Sequence, residues 1–163
     1  MDKVALSKYM SLILRHHPEV IGISLDRNGW ADAEELVRGI SQTHDFSREM
    51  LDEIVRTDSK KRYSFNDDRT KVRAAQGHSV PVDVELEERE PPARLWHGTG
   101  LKYTASIDRQ GLIPGERLYV HLSADMRTAL TTGARHDRPE VYIVKAREMY
   151  RDGFRFFLSA NGV

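Results

Sequence analysis

The sequence predicts an α+β fold in two lobes, a winged-helix lobe over residues 1–92 and a second mixed lobe over residues 93–163. Three observations carry this. Three amphipathic helical segments are followed by an alternating strand pair, the element order of a winged helix. An acidic alternating stretch then runs into Pro91-Pro92, a stiff linker. Beyond it, short strand-like runs, short helical patterns and Gly turns come in mixed order, as in an α+β lobe.

Leu6, Met10, Ile13 and Leu14 recur at helical spacing, with Asp2 as N-cap, so residues 2–17 form the first helix. The residue before a proline is pushed out of the helical region, and Pro18 therefore ends this helix near His16 or His17. Asn28-Gly29 marks a turn, Trp30 is a core anchor, and Asp32 with Glu35 caps a second helix. Ser47 opens a third, with Met50, Leu51, Ile54 and Val55 on one face. In "KKRYSFNDDRTKVRAA" two alternating strands flank a turn at Asn66-Asp67-Asp68. Period two gathers Tyr63, Phe65, Val72 and Ala74 on one face and Arg62, Ser64, Lys71 and Arg73 on the other. "VPVDVELEEREPPAR" reads as a bridging strand and linker. In the second lobe "ARLWHGTG", "RLYVHLS" and "EVYIVKARE" read as strands, and "TASIDRQGL" and "SADMRTALTTGA" as helices.

Composition excludes several classes. With no cysteine the chain forms no disulfide and offers no thiolate. No apolar run approaches the roughly 20 residues that span a bilayer, and the N-terminus lacks a signal peptide's apolar core, so a cytoplasmic protein is expected. The 25 basic residues balance the 25 acidic ones, so only local clustering can point to nucleic acid. The seven histidines are scattered, and His16 and His17 are adjacent rather than a helical turn apart, which argues against a metal site. No G-x-S-x-G elbow supports a serine hydrolase.

Four clusters can carry chemistry. Arg15 offers a fork that matches phosphate oxygens, and His16 beside it can donate a proton; the helix macrodipole alone also favours cations there. Arg62, Lys71 and Arg73 form either a phosphate-binding surface or a solvated charged face. "WHGTG" places His97 at a strand end, where Gly98 and Gly100 allow backbone to approach a ligand or simply make a turn. It is not a dinucleotide-binding G-x-G-x-x-G. In "RLYVHLS", alternation puts Tyr119, His121 and Ser123 together, on a plain surface or a cleft floor.

Taken in order, "LSKYMSLILRHHPEVIGISLDRNGWADAEELV", "KKRYSFNDDRTKVRAAQGHSVPVD", "LWHGTG", "QGLIPGERLYVHLS", "TGAR" and "FFLSANGV" closely resemble the RNA 2'-phosphotransferases of the KptA type. The resemblance covers nearly the whole chain. It implies a winged-helix RNA lobe joined to an ADP-ribosyltransferase-like lobe, with NAD as co-substrate, no metal, and a tRNA-like RNA bearing an internal 2'-phosphate as partner. A monomer is expected. Arg15, His16, Arg62 and Arg117 match the family's catalytic set. His97, Gly98 and Thr99 match the NAD signature, with His121, Ser123 and Arg135 as further NAD contacts; Lys71 and Arg73 of the basic hairpin face are then contacts to RNA phosphate, and His78 either meets that phosphate or has a structural role at the lobe junction. His17, His44 and His136 are left as surface residues. Tyr119 stands where the family has His in "R-x-H-V-H", and relatives usually continue past "SANGV" through a Trp and another strand.

The implied reaction has two steps. The RNA 2'-phosphate first attacks the ribose carbon bearing nicotinamide; the neighbouring ribose 2''-hydroxyl then attacks phosphorus and expels RNA with a free 2'-hydroxyl. A phosphate is already anionic, so the first step needs positioning rather than a general base, and the superfamily's usual Glu, apolar here within "VYIVKA", is dispensable. The second step builds charge that Arg15, Arg62 and Arg117 can stabilise, each well-placed donor contributing about 3 kcal/mol. His16 can protonate the departing 2'-oxygen. His16→Ala and Arg62→Ala are expected to fold and to lose phosphate removal. Two rivals remain: an ADP-ribosyltransferase that caps terminal phosphates of RNA or DNA, and a winged-helix binding module without activity.

Overall fold

The computed structural model describes residues 2–135 and 137–163, a mixed chain of helices and small sheets. It divides into two compact units, Met1–Glu85 and Leu86–Val163. Residues 86–92, grouped with the first lobe from the sequence, fall in the second unit. The reason is strand pairing: β4 (Glu87–Glu88) is antiparallel to β7 (Phe157–Leu158) near the C-terminus. Upstream of Glu87, the expected bridging strand is irregular chain.

In the first unit, α1 (Lys3–Arg15) begins where the Asp2 carboxylate accepts the Ala5 amide at 2.7 Å. It ends before Pro18, which disfavours helix at the residue before it and opens a short 3-10 helix, Pro18–Ile21. Leu6, Met10, Ile13 and Leu14 form its buried stripe. A two-residue β1 (Ala31–Asp32) precedes α2 (Ala33–Ser41), which the Asp32 side chain caps at the Glu35 amide. Ser47 caps α3 (Arg48–Thr57) at the Met50 amide. The hairpin strands β2 (Tyr63–Phe65) and β3 (Lys71–Ala74) pair Tyr63 with Ala74 and Phe65 with Val72, the apolar face read from alternation. β1 adds to β3 on its other side, so the sheet order is β1-β3-β2.

One core serves this unit. Leu6, Met10, Ile13 and Leu14 of α1 pack with Leu36, Ile40, Leu51, Ile54, Tyr63 and Val72. Burying such side chains contributes roughly 1.5–3 kcal/mol each. Tyr63 keeps its polar end satisfied: its hydroxyl donates to the Ser7 carbonyl at 2.6 Å and meets Ser11 Oγ at 2.6 Å. That pair of contacts clamps β2 onto α1. Trp30, expected in the core, is only partly buried. Its indole instead lies under the Arg73 guanidinium, 4.2 Å from the ring centroid, because a cation over an aromatic face is attracted by the ring's quadrupole.

In the second unit β5 (Leu95–Gly100) and β6 (Pro139–Val144) form an antiparallel pair, with α4 (Thr104–Gln110), α5 (Met126–Gly133) and α6 (Ala146–Arg151) around the chain between and after them. The fit of α5 to β5 requires two glycines. A Cβ on Gly98 would lie 1.7 Å from the Ala129 carbonyl oxygen, and one on Gly133 would lie 2.6 Å from the Thr99 carbonyl oxygen. Residues 117–122, expected as part of a strand, form none. The segment turns at Pro114, whose carbonyl accepts the Arg117 amide, and its one sheet-type contact among the described residues is the bridge of Ser123 to Trp96. No helix of the described residues is long and apolar enough to cross a membrane.

Candidate active site

In the first unit the end of α1 is finished by a distant loop. The Arg15 carbonyl, one of the helix's last acceptors, receives the amides of Ser79 at 2.9 Å and Val80 at 3.3 Å. The loop side chains then engage the two residues in question. Arg15 Nη2 donates to Gln76 Oε1 at 3.3 Å, and His16 Nδ1 lies 2.8 Å from Ser79 Oγ. Gly77 lies flat against the guanidinium: with φ +91°, a Cβ there would meet Arg15 Nε at 3.2 Å. Arg15 and His16 are both half-buried, so the two polar heads are held rather than free in solvent.

His78 lies inside the same loop at 2% exposure, and its buried Nε2 has no hydrogen-bond partner among the described residues. Burial, and after it the charges of Arg15, His16 and Arg73, push its pKa from 6.5 down to about 4. His78 is therefore neutral at pH 7, wedged beneath three cationic or basic neighbours.

Arg62 directly precedes β2, whose Tyr63 is clamped to α1. Its guanidinium donates to Asp58 Oδ1 at 3.0 Å, while its own amide donates to Asp58 Oδ2 at 2.8 Å. Asp58 is nearly buried and so orients the arginine it neutralises. The other two basic residues of the hairpin differ. Lys71 is exposed, with Asp26 at 3.6 Å, whereas Arg73 is committed to the Asn28 carbonyl, Glu85 and the Trp30 face. The sequence could not signal these commitments, since Asn28 and Glu85 lie far from residue 73 along the chain.

In the second unit His97, on β5, has Nδ1 2.9 Å from the His121 carbonyl oxygen. A carbonyl only accepts, so His97 donates from Nδ1, which in the neutral ring leaves Nε2 as an acceptor. Arg117 Nη1 lies 3.0 Å from His121 Nδ1, and a guanidinium only donates, so His121 is protonated on Nε2 instead. In their neutral forms the two histidines take opposite tautomers. The Arg117 pKa is lowered by partial burial of its guanidinium and then by the positive charge of Arg135. Two arginines that oppose each other's charge make a natural place for an anion.

Ser123 joins this group through its backbone, exchanging hydrogen bonds with Trp96 at 2.7 and 2.9 Å. Thr99 is buried, and Gly98 has the packing role described above. Arg135 follows α5 and is exposed. Of the remaining histidines, His17 pairs with Glu19 on the surface, and His44 is half-buried against Tyr9, 4.6 Å between ring centroids, rather than on the surface. His136 lies outside the described residues. Among the described residues no cluster of three acidic or histidine side chains is placed to hold a metal ion. Gln76, Ser79 and Asp58 are contacts that the sequence did not single out; Gln76 and Ser79 lie near the end of the stretch "KKRYSFNDDRTKVRAAQGHSVPVD" that resembles the family, whereas Asp58 lies outside it.

Comparison with known proteins covers the chain from end to end. A family model described as "RNA 2'-phosphotransferase, Tpt1 / KptA family" matches residues 1–163. A Flavobacterium johnsoniae protein named "Probable RNA 2'-phosphotransferase" is 46% identical over 160 residues, covering 98% of this chain and 88% of that one. Proteins of the same name from Fusobacterium nucleatum and Escherichia coli are 45% and 48% identical, covering 99% and 96% of this chain and 92% and 86% of their own lengths.

Proposed function

The chain belongs to the RNA 2'-phosphotransferase, Tpt1 / KptA family, and from that premise we propose that it moves an internal RNA 2'-phosphate onto NAD in two steps. The products are nicotinamide, RNA with a free 2'-hydroxyl, and ADP-ribose 1'',2''-cyclic phosphate. The family match over residues 1–163 is the observation that carries this reading. The three helices and three-stranded sheet of the first unit fit a winged-helix lobe, and β5 with its His-Gly-Thr fits an ADP-ribosyltransferase-like lobe.

The donor sets of the two units suit the two substrates. NAD offers ribose hydroxyls, a carboxamide and a pyrophosphate. His97 Nε2 as acceptor and His121 Nε2–H as donor can take hydroxyl and carboxamide groups, and Arg117 with Arg135 suits a phosphate. When bound, NAD supplies the electrophilic ribose carbon. On the RNA side, Arg15 and Arg62 are fixed by Gln76 and Asp58, so they can stabilise phosphoryl oxygens with little reorganisation. His16 donates a proton to the departing 2'-oxygen. Lys71 is the exposed cation suited to a neighbouring backbone phosphate. Arg73 and His78, held inside, support Trp30 and the 76–79 loop in the folded unit.

The test incubates the protein with NAD and a short RNA carrying one internal 2'-phosphate and identifies products by mass. Plain 2'-hydroxyl RNA with the cyclic phosphate is expected. An adduct that persists would overturn the second step, and unreacted RNA beside intact NAD would overturn the whole reading.

A further inference from the structure

We propose that Ser79 is a positioning residue for His16, acting through the hydrogen bond between its hydroxyl and the imidazole; the proposal rests on the role of His16 as proton donor given above. Ser79 is bonded twice to the same helix end. Its amide donates to the Arg15 carbonyl at 2.9 Å, and its Oγ lies 2.8 Å from His16 Nδ1. The main-chain bond fixes where the hydroxyl is, and the hydroxyl fixes the rotation of the ring.

A hydroxyl suits this task because it can both accept and donate. It accepts from Nδ1–H while the ring is an imidazolium. After Nε2 has given its proton to the departing oxygen, Nδ1–H still donates to Ser79, and the ring refills at Nε2 from water. If the neutral ring instead carries its proton on Nε2, the hydroxyl rotates and donates to Nδ1. In every protonation state Nδ1 stays held, and proton exchange falls to Nε2. A carboxylate in this position would bind the imidazolium too tightly and oppose proton release; an alanine would remove the hold on Nδ1.

The loop around Ser79 is built for the same end. Gln76 holds the Arg15 guanidinium, Gly77 leaves it room, and buried His78 seats the loop in the unit's interior. The serine and the histidine are 63 residues apart in sequence and join only through this loop.

Single-turnover measurements on the full chain, with NAD and 2'-phosphorylated RNA, separate the two steps. In Ser79→Ala the second step is expected to slow roughly 10- to 100-fold, with the adduct accumulating, while the first step stays within about twofold. Ser79→Thr, which keeps the hydroxyl, should restore the second step. In the His16→Ala background, adding Ser79→Ala should cost nothing further. The ¹⁵N resonance of His16 Nδ1 should move in Ser79→Ala and return in Ser79→Thr. An active wild type with an unaltered second step in Ser79→Ala would overturn this role alone, as would equal loss of both steps in both variants, which marks a merely structural contact. A wild type that leaves RNA and NAD unreacted would overturn the reading of function and this role with it.

Discussion

At the scale of single residues, the chemistry of the first unit depends on how its polar side chains are paid for by their neighbours. His78 has no charged partner to stabilise a proton, and its pKa is pushed down to about 4. The unfolded chain, titrating near 6.5, binds that proton more readily, so stability is fully present above about pH 6.5 and is lost as pH falls toward 4. This one residue is expected to account for roughly 3 kcal/mol of that loss. Denaturant unfolding at pH 7 and pH 4.5 should show a steeper decline for the wild type than for His78→Gln; parallel declines would refute it. Arg62 carries a second prediction. Its removal takes the cation from Asp58, and because the guanidinium is partly open to solvent Arg62→Ala should lose about 1 kcal/mol of stability as well as phosphate removal, while Arg62→Lys retains most of the stability and not the fork. Thermal unfolding beside the product assay separates the two effects.

Elements are set by short-range signals that the structure then tests against packing. The α1 stripe of Leu6, Met10, Ile13 and Leu14 is legible because a buried helix face repeats every three to four residues, and the hairpin register because strand faces alternate. The same alternation in "RLYVHLS" is misleading: no strand forms at 117–122, and Leu118 and Tyr119 remain exposed. A pattern can announce that a segment is able to pair but not that a partner lies beside it. The α5–β5 contact gives the sharpest element-level prediction. Gly98→Ala should destabilise the second unit by about 3 kcal/mol, because helix and strand backbones must separate to admit the methyl group. Gly22→Ala meets no neighbour within 4 Å and should cost only about 1 kcal/mol, the penalty of its φ of +73°. Comparable losses in thermal melts of the two variants would contradict this.

Across the whole molecule the two units differ in how much apolar surface they bury. The first has one continuous core of large side chains. Among the described residues of the second, the buried apolar side chains of its main elements are Ala129, Val144 and Ala146, while Ile113, Met126, Ile143 and Phe154 are exposed. Local stability follows buried contact, so amides of α1 and β3 should exchange with deuterium more slowly than those of α5 and β6. Equal protection of both sets would show that the cores are energetically alike.

The sequence by itself determined the helix and hairpin elements of the first unit, the strands at Leu95–Gly100 and Pro139–Val144, and, through motifs spread over the whole chain, the family. These are local or cumulative signals, readable from periodicity and residue order. Only the tertiary structure decided that Trp30 lies under Arg73, that Asp58 and Gln76 hold the two arginines, and that Ser79 meets His16. Most of these contacts depend on chain folding back across tens of residues, and even Asp58, only four residues from Arg62, meets it because the chain turns between α3 and β2. Hydrogen-bond partners of that kind leave no periodicity to read, because they follow from where the packed core places the loops.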